Sequence, residues 1–176
     1  MKVTSQEEIG LRLMMALAEA ALQDKGEVRI SSLAKAEGIG SANTAKVLNL
    51  LNRSGLVRGL RGVKGGYVLA RPPEEITLYE VLSALADPSE NDSRVPIFEA
   101  GRLINCPRFP GCNLKVVWAA LEDAMRGILE RVTLKDIALG TVEELEEKLG
   151  IASSELGEGA SILTTTVRQS KGREQR

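Results

Sequence analysis

A change of hydrophobic period at Gly55 constrains this chain more than any other feature. Upstream, Val47, Leu48 and Leu51 fall on one side of a helix expected from Ala42 to Ser54, with Ser41 as a candidate N-cap accepting backbone N–H groups. Gly55 then stands where a left-handed C′ position suits a residue without Cβ. Downstream, Leu56-Val57-Arg58 and Tyr67-Val68-Leu69 read as two short strands joined by Gly62-Val63-Lys64-Gly65-Gly66. That is a β-hairpin with glycines where positive φ is expected.

From residue 40 to residue 73 the chain carries six Lys or Arg (Lys46, Arg53, Arg58, Arg61, Lys64, Arg71) and no Asp or Glu. With 24 acids in 176 residues, a stretch of this length would ordinarily hold about four or five. An accidental lack of acids on a solvated surface is a poor account of that gap; a phosphate-binding face requires such a one-signed field. The glycines also invite comparison with a dinucleotide loop. Here, however, they lead into a strand instead of opening a helix, so the helix N-terminus used by such a site is missing.

The flanking sequence completes the pattern. Thr4 with Glu7 and Ser5 with Glu8 are overlapping capping boxes, and Ile9, Leu13, Leu17 and Ala20 define the buried side of a first helix ended by Asp24-Lys25-Gly26. Glu27 to Ile30 reads as a short strand able to pair with the hairpin. Ser31 is expected to cap a brief helix, Ser32 to Glu37, closed by Gly38. Helix, strand, helix, turn, helix, hairpin is the order of a winged helix-turn-helix. The expected fold class is therefore mainly α with a small β wing: a winged helix-turn-helix DNA-binding domain plus a long dimerisation helix.

Beyond Pro72-Pro73, Thr77 and Glu80 form another capping box before a short helix, Leu78 to Ala86. No periodicity persists from Asp87 to Gly111, a stretch with four prolines that contains Cys106 and ends at Cys112. Asn113 to Val132 is the longest helix, with Leu114, Val117, Leu121, Ala124, Ile128 and Val132 at spacings of three or four. Such a stripe supports a helix-to-helix seam, and a second copy of the chain is its simplest partner. Thr133 with Asp136 and Thr141 with Glu144 look like further caps, the last before an acidic helix ended by Gly150. The expected divisions are 1–73 for the DNA-binding domain, 74–112 for a short helix and sensor loop, 113–150 for the dimerisation and terminal helices, and 151–176 for a tail of disordered composition.

Charge separates the two ends. Residues 1 to 73 hold 11 basic and 6 acidic side chains, net +5, whereas residues 74 to 176 hold 12 and 18, net −6. No apolar run approaches the roughly 20 residues of a membrane span and no signal peptide precedes the first helix, so a cytoplasmic protein is expected. In that compartment two cysteines suit thiols or metal ligands better than a structural disulfide. Histidine is absent, and with it every His-dependent triad and proton relay. No Walker sequence or nucleophile elbow occurs either, so an enzyme is not expected.

Arg61-Gly62-x-x-Gly65-Gly66-Tyr67-x-Leu69-Ala70-Arg71-Pro72, then Ile76-Thr77-Leu78, two cysteines, Trp118 and Thr133-Leu134, resembles the IscR/NsrR/CymR family of bacterial winged-helix regulators over residues 1 to 140. The resemblance implies a homodimer on double-stranded palindromic DNA. It places the helix from Ala42 in the major groove and the wing with Arg61 in the adjacent minor groove. Arg61 and Lys64 at a narrow hairpin tip suit phosphates or a narrowed minor groove, and Asn43, Thr44 and Lys46 are expected on the exposed side of the helix. With Ser41, Arg53 and Arg58 these form the candidate DNA-binding set. Ala45 stands where IscR-type readers carry a glutamate, so their operator does not transfer.

Cluster-binding members hold iron through C-x5-C-x5-C and a fourth ligand. Cys106 and Cys112 supply the last two cysteines, the first falls at Ala100, and the histidine ligand of IscR falls at Lys115. NsrR-type sites suggest that a carboxylate near the start of the first helix, here Glu8, completes the site in the opposite subunit. Three readings of the cysteines stay open: an iron–sulfur cluster with mixed ligands, a thiol/disulfide switch, and no sensing role. The expected function is a transcriptional regulator, usually a repressor, responsive to a cluster or redox state at Cys106 and Cys112. The alternative is a cluster-free, CymR-like regulator controlled by a partner protein.

Overall fold

The computed structural model describes residues 3–60, 65–86 and 113–151, in two compact units, Met1–Gly140 and Thr141–Arg176. The first unit opens with α1 (Ser5–Leu22). Of the two overlapping boxes, the one realised is Thr4 with Glu7: Thr4 Oγ1 accepts the Glu7 N–H at 3.0 Å, and the Glu7 carboxylate accepts the Thr4 N–H at 2.7 Å. Next come α2 (Ile30–Glu37), α3 (Ser41–Arg53), β1 (Val57–Leu60) and β2 (Gly66–Leu69). A 3-10 turn, Pro73–Glu75, leads to α4 (Leu78–Leu85), and α5 (Asn113–Arg131) and α6 (Leu134–Leu139) complete the unit.

Two helix starts differ from expectation. Ser41 is not the N-cap of α3: Gly40 holds that position, because its carbonyl already accepts the Thr44 N–H at 3.0 Å. Ser41 is thus the first helical residue. Likewise α2 begins at Ile30, since the Arg29 carbonyl accepts the N–H groups of Ser32 and Leu33, both at 3.0 Å. The early start reduces the expected 27–30 strand to one bridge, in which Val28 and Tyr67 exchange N–H···O bonds of 3.0 and 2.8 Å. That bridge still pairs the segment with the wing.

The wing is a two-stranded antiparallel ribbon with Val57 opposite Leu69 and Leu60 opposite Gly66. Each strand extends further toward the tip than the apolar pattern indicated, through Gly59-Leu60 and Gly66. Gly66 allows the close approach of Val28: a Cβ there would stand 2.7 Å from the Val28 carbonyl oxygen. Gly55 adopts φ +74 and turns the chain from α3 into β1, as its position after the last periodic residue implies.

One apolar core holds these elements together. Leu13, Met14 and Leu17 of α1 meet Leu48 and Leu51 of α3, Val57 and Leu69 of the wing, and Val81 and Leu85 of α4. Truncating any of these leucines to alanine costs about 2–5 kcal/mol by analogy with other cores. Arg12 reinforces the α1–α2 contact, its Nε donating to Glu37 Oε2 at 3.0 Å and its guanidinium also to the Glu37 carbonyl.

Helix α5 ends earlier than expected, at Arg131. Val132 lies outside α5 and is buried in the core, because its carbonyl accepts the Leu78 N–H at 2.9 Å. α5 packs on α4, where the Arg126 guanidinium lies 5.1 Å from the Tyr79 ring centroid. Leu114, Val117, Leu121, Ala124 and Ile128 are exposed in the protomer.

In the second unit, α7 (Val142–Leu149) is capped by Thr141 and Glu144 and closed by Gly150 at φ +69. The expected sensor loop and terminal tail lie outside the described residues.

Candidate nucleic-acid interface

The buried residues of α3 are Thr44, Val47, Leu48 and Leu51, and they set which way the helix faces. Its outer side carries Ser41, Asn43, Lys46 and Arg53, all exposed. Arg58 is exposed on β1, directly after the helix, so two consecutive elements present cations to solvent. Asn52 links the two elements: its Oδ1 accepts the Gly59 N–H at 3.3 Å. The sequence reading missed this bond, since nothing in the periodicity marks which exposed asparagine the strand will pass.

Thr44 is a correction. The expected exposed reader is fully buried, and its hydroxyl donates to the Gly40 carbonyl at 3.2 Å. The position lies one turn from Val47 and Leu48, so a small hydroxyl that can bond back to its own helix is tolerated in the core. Arg61 and Lys64, the two candidates at the wing tip, lie outside the described residues.

Arg71 belongs to the same acid-free stretch but faces inward to α4. Its Nη2 lies 2.6 Å from Glu80 Oε1, and its Nη1 donates to the Glu75 carbonyl at 3.0 Å. Burial raises the Glu80 pKa. That effect is outweighed by the Thr77 N–H bond, then by the hydrogen bond and charge of Arg71, and the carboxyl ends below its ordinary range. This clamp fastens the base of the wing to the core.

The starts of α2 and α3 differ from those of α1, α4, α6 and α7. Those four have threonine N-caps in full capping boxes. Neither Arg29 nor Gly40 gives a side-chain cap, so the first N–H groups of both helices have no cap side chain over them. Asn43 and Lys46 also border a cleft of about 520 Å³ between the start of α1 and the end of α4.

Of the candidate metal ligands, Cys106 and Cys112 lie outside the described residues. Glu8 is exposed on the first turn of α1, with Arg12 Nη1 3.7 Å away. Its expected alternative role in a capping box with Ser5 is not realised, because Thr4 is the N-cap. Among the described residues no group of three or more Cys, Asp or Glu side chains is placed to hold a metal ion. No helix of the described residues is long and apolar enough to cross a membrane.

A small helical core with an antiparallel ribbon beside its outward-facing helix defines the winged helix-turn-helix proteins. The chain belongs to the Rrf2 family, described as iron-dependent transcriptional regulators, whose profile matches residues 3–139. It is 34% identical over 144 residues to a Mycobacterium tuberculosis protein provisionally named as an HTH-type transcriptional regulator, covering 82% of this chain and 85% of that protein. It is 27% identical to the HTH-type transcriptional regulator CymR of Bacillus subtilis, covering 83% and 96%. The solved structure of T. potens IscR superposes with a TM-score of 0.58 at 26% identity, over 78% of this chain and 85% of that one. The protein is a transcriptional regulator, not an enzyme.

Proposed function

We propose that the protein is a homodimeric, sequence-specific DNA-binding regulator, acting as a repressor, that grips duplex DNA with α3 and the adjoining wing. The observation that carries this reading is the exposure of Lys46, Arg53 and Arg58 on consecutive elements within a stretch devoid of acids. Cations arranged in this way neutralise phosphates and release counterions, which supplies most of the affinity for duplex. Ser41 and Asn43 add polar groups beside them, and Arg61 and Lys64, which follow in the same acid-free stretch of sequence, are read as further cations of this set. The start of α3, where Gly40 supplies no side-chain cap, favours the same ligand, because N–H groups at a helix N-terminus without such a cap suit phosphate oxygens.

Dimerisation follows from α5. Leu114, Val117, Leu121, Ala124 and Ile128 recur at alternating intervals of three and four, and each is exposed in the single chain. A seam of that period buries best against a second copy. Two-fold pairing would present two α3 helices to half-sites about one helical turn apart on a palindrome. The test is to titrate the purified protein into a duplex selected from random sequence and into unselected duplex. The reading expects at least about a thousand-fold preference for the first; equal affinities overturn it.

The effector is read from Cys106, Cys112 and Glu8. We infer that they hold an iron–sulfur cluster, with Glu8 supplied by the opposite subunit, and that DNA affinity responds to its state. The donors fit such a group only in part: two thiolates and a carboxylate leave one of four positions to water or another residue. The exposure of Glu8, whose carboxylate has Arg12 Nη1 at 3.7 Å, is compatible with that role. The same shortfall of donors favours a second reading, control by a partner protein without any cluster. An anaerobic absorbance spectrum with iron and sulfide analysis separates them. Iron and sulfide bound together support the first, and a colourless protein supports the second.

A further inference from the structure

We propose that Asn49 is a base-reading residue of α3, its side-chain amide selecting adenine in the major groove. This rests on the DNA-binding reading above and deepens it to a specificity-determining residue. Successive residues of an α-helix turn by ~100°, so the residues opposite the buried Thr44, Val47, Leu48 and Leu51 are Ala42, Lys46, Asn49 and Arg53. All four are exposed. This line is the outermost ridge of the helix and the first part of it to meet a groove floor.

The chemistry along the ridge then divides the roles. Ala42 offers a methyl group only. Lys46 and Arg53 are cations on long stems, suited to the phosphates on either side. Asn49 lies between them, three residues after one and four before the other, so it shares their face. The other asparagines of the helix are placed differently. Asn43 stands off the ridge and borders the cleft beside α1, while the Oδ1 of Asn52 accepts the Gly59 N–H of β1. Asn49 has no hydrogen-bond partner among the described residues, so both its N–H2 and its carbonyl oxygen are free to bond. An asparagine amide matches adenine edge-on, donating to N7 and accepting from the N6 amino group, a pattern no other base shows in the major groove.

The plain alternative is that Asn49 bonds a phosphate, or nothing but water. Selection from random duplex with the full-length chain, for wild type and for Asn49→Ala, decides between them. Asn49 is exposed, so the substitution leaves the core intact; Lys46→Ala serves as the comparison for a phosphate contact. The expected result is that the wild-type consensus requires adenine at one position in each half-site. Asn49→Ala should relax that position alone, lowering the preference for adenine by about 5- to 150-fold while binding of random duplex and its salt dependence stay as in wild type. An unchanged consensus overturns the proposal. A uniform loss across all sequences, as expected for Lys46→Ala, overturns it too, by making Asn49 a phosphate contact. If wild type selects no consensus at all, the DNA-binding reading fails first and this one with it.

Discussion

Thr77 and Thr133 stand opposite one another in an antiparallel bridge, and each starts a different helix. The Leu78 N–H donates to the Val132 carbonyl and the Leu134 N–H to the Ile76 carbonyl, both at 2.9 Å. Thr77 Oγ1 accepts the Glu80 N–H at 3.2 Å, and Thr133 Oγ1 accepts the Asp136 N–H at 3.3 Å. The end of α5 is thereby fastened to the start of α4, which packs on α3. Through α4, the end of α5 is thus linked by packing to the outward-facing helix α3.

Removing one of those caps should be felt throughout the unit. Thr133→Ala deletes the hydroxyl that holds the first turn of α6 and leaves the Asp136 N–H without its side-chain acceptor. The expected cost is about 1 kcal/mol in a urea or thermal unfolding measurement. A variant as stable as wild type would show that the bridge, and not the cap, secures this junction.

The Arg71–Glu80 clamp predicts a pH dependence. The folded pKa of Glu80 is depressed, so the stability it contributes is fully present above the ordinary glutamate pKa of about 4.3 and is lost as the pH falls through the folded value. Both side chains are more than a third exposed, so the effect is modest. Glu80→Gln should unfold with a shallower dependence on pH on the acid side than wild type. Parallel curves for the two proteins would remove the clamp from the account.

The seam of α5 predicts a change of mass. Leu121 is exposed at the middle of the stripe, so Leu121→Glu alters no core contact in the protomer, yet it sets two carboxylates near one another in a two-fold pair. Sedimentation velocity should show a dimer for wild type and a monomer for the variant, with unfolding midpoints of the winged unit little changed. A variant that sediments as wild type places the dimer contact elsewhere.

Much of this was legible in the residues. Val47, Leu48 and Leu51 pointed to the buried side of α3, Gly55 to the turn into the wing, and the threonine boxes at Thr4, Thr77, Thr133 and Thr141 to four helix starts. What escaped was decided by contacts remote in sequence or by backbone alone. Thr44 is polar by composition but buried by its place one turn before Leu48, where the hydroxyl bonds to its own helix. Arg71 counts as a cation in the acid-free stretch, yet Glu80 across the turn draws it inward. Val132 continues the apolar spacing of α5, but the strand-like bond from Leu78 takes it into the core. The starts of α2 and α3 were misplaced because no side chain marks them.

The most direct test of the central claim, that the exposed cations of α3 and β1 hold duplex DNA, is fluorescence anisotropy of a selected duplex measured across salt concentrations. The account predicts that log K falls steeply and linearly with log salt, and that Arg53→Ala and Arg58→Ala each make the slope shallower by about 1. Binding with no salt dependence, or slopes unchanged in both variants, would contradict it.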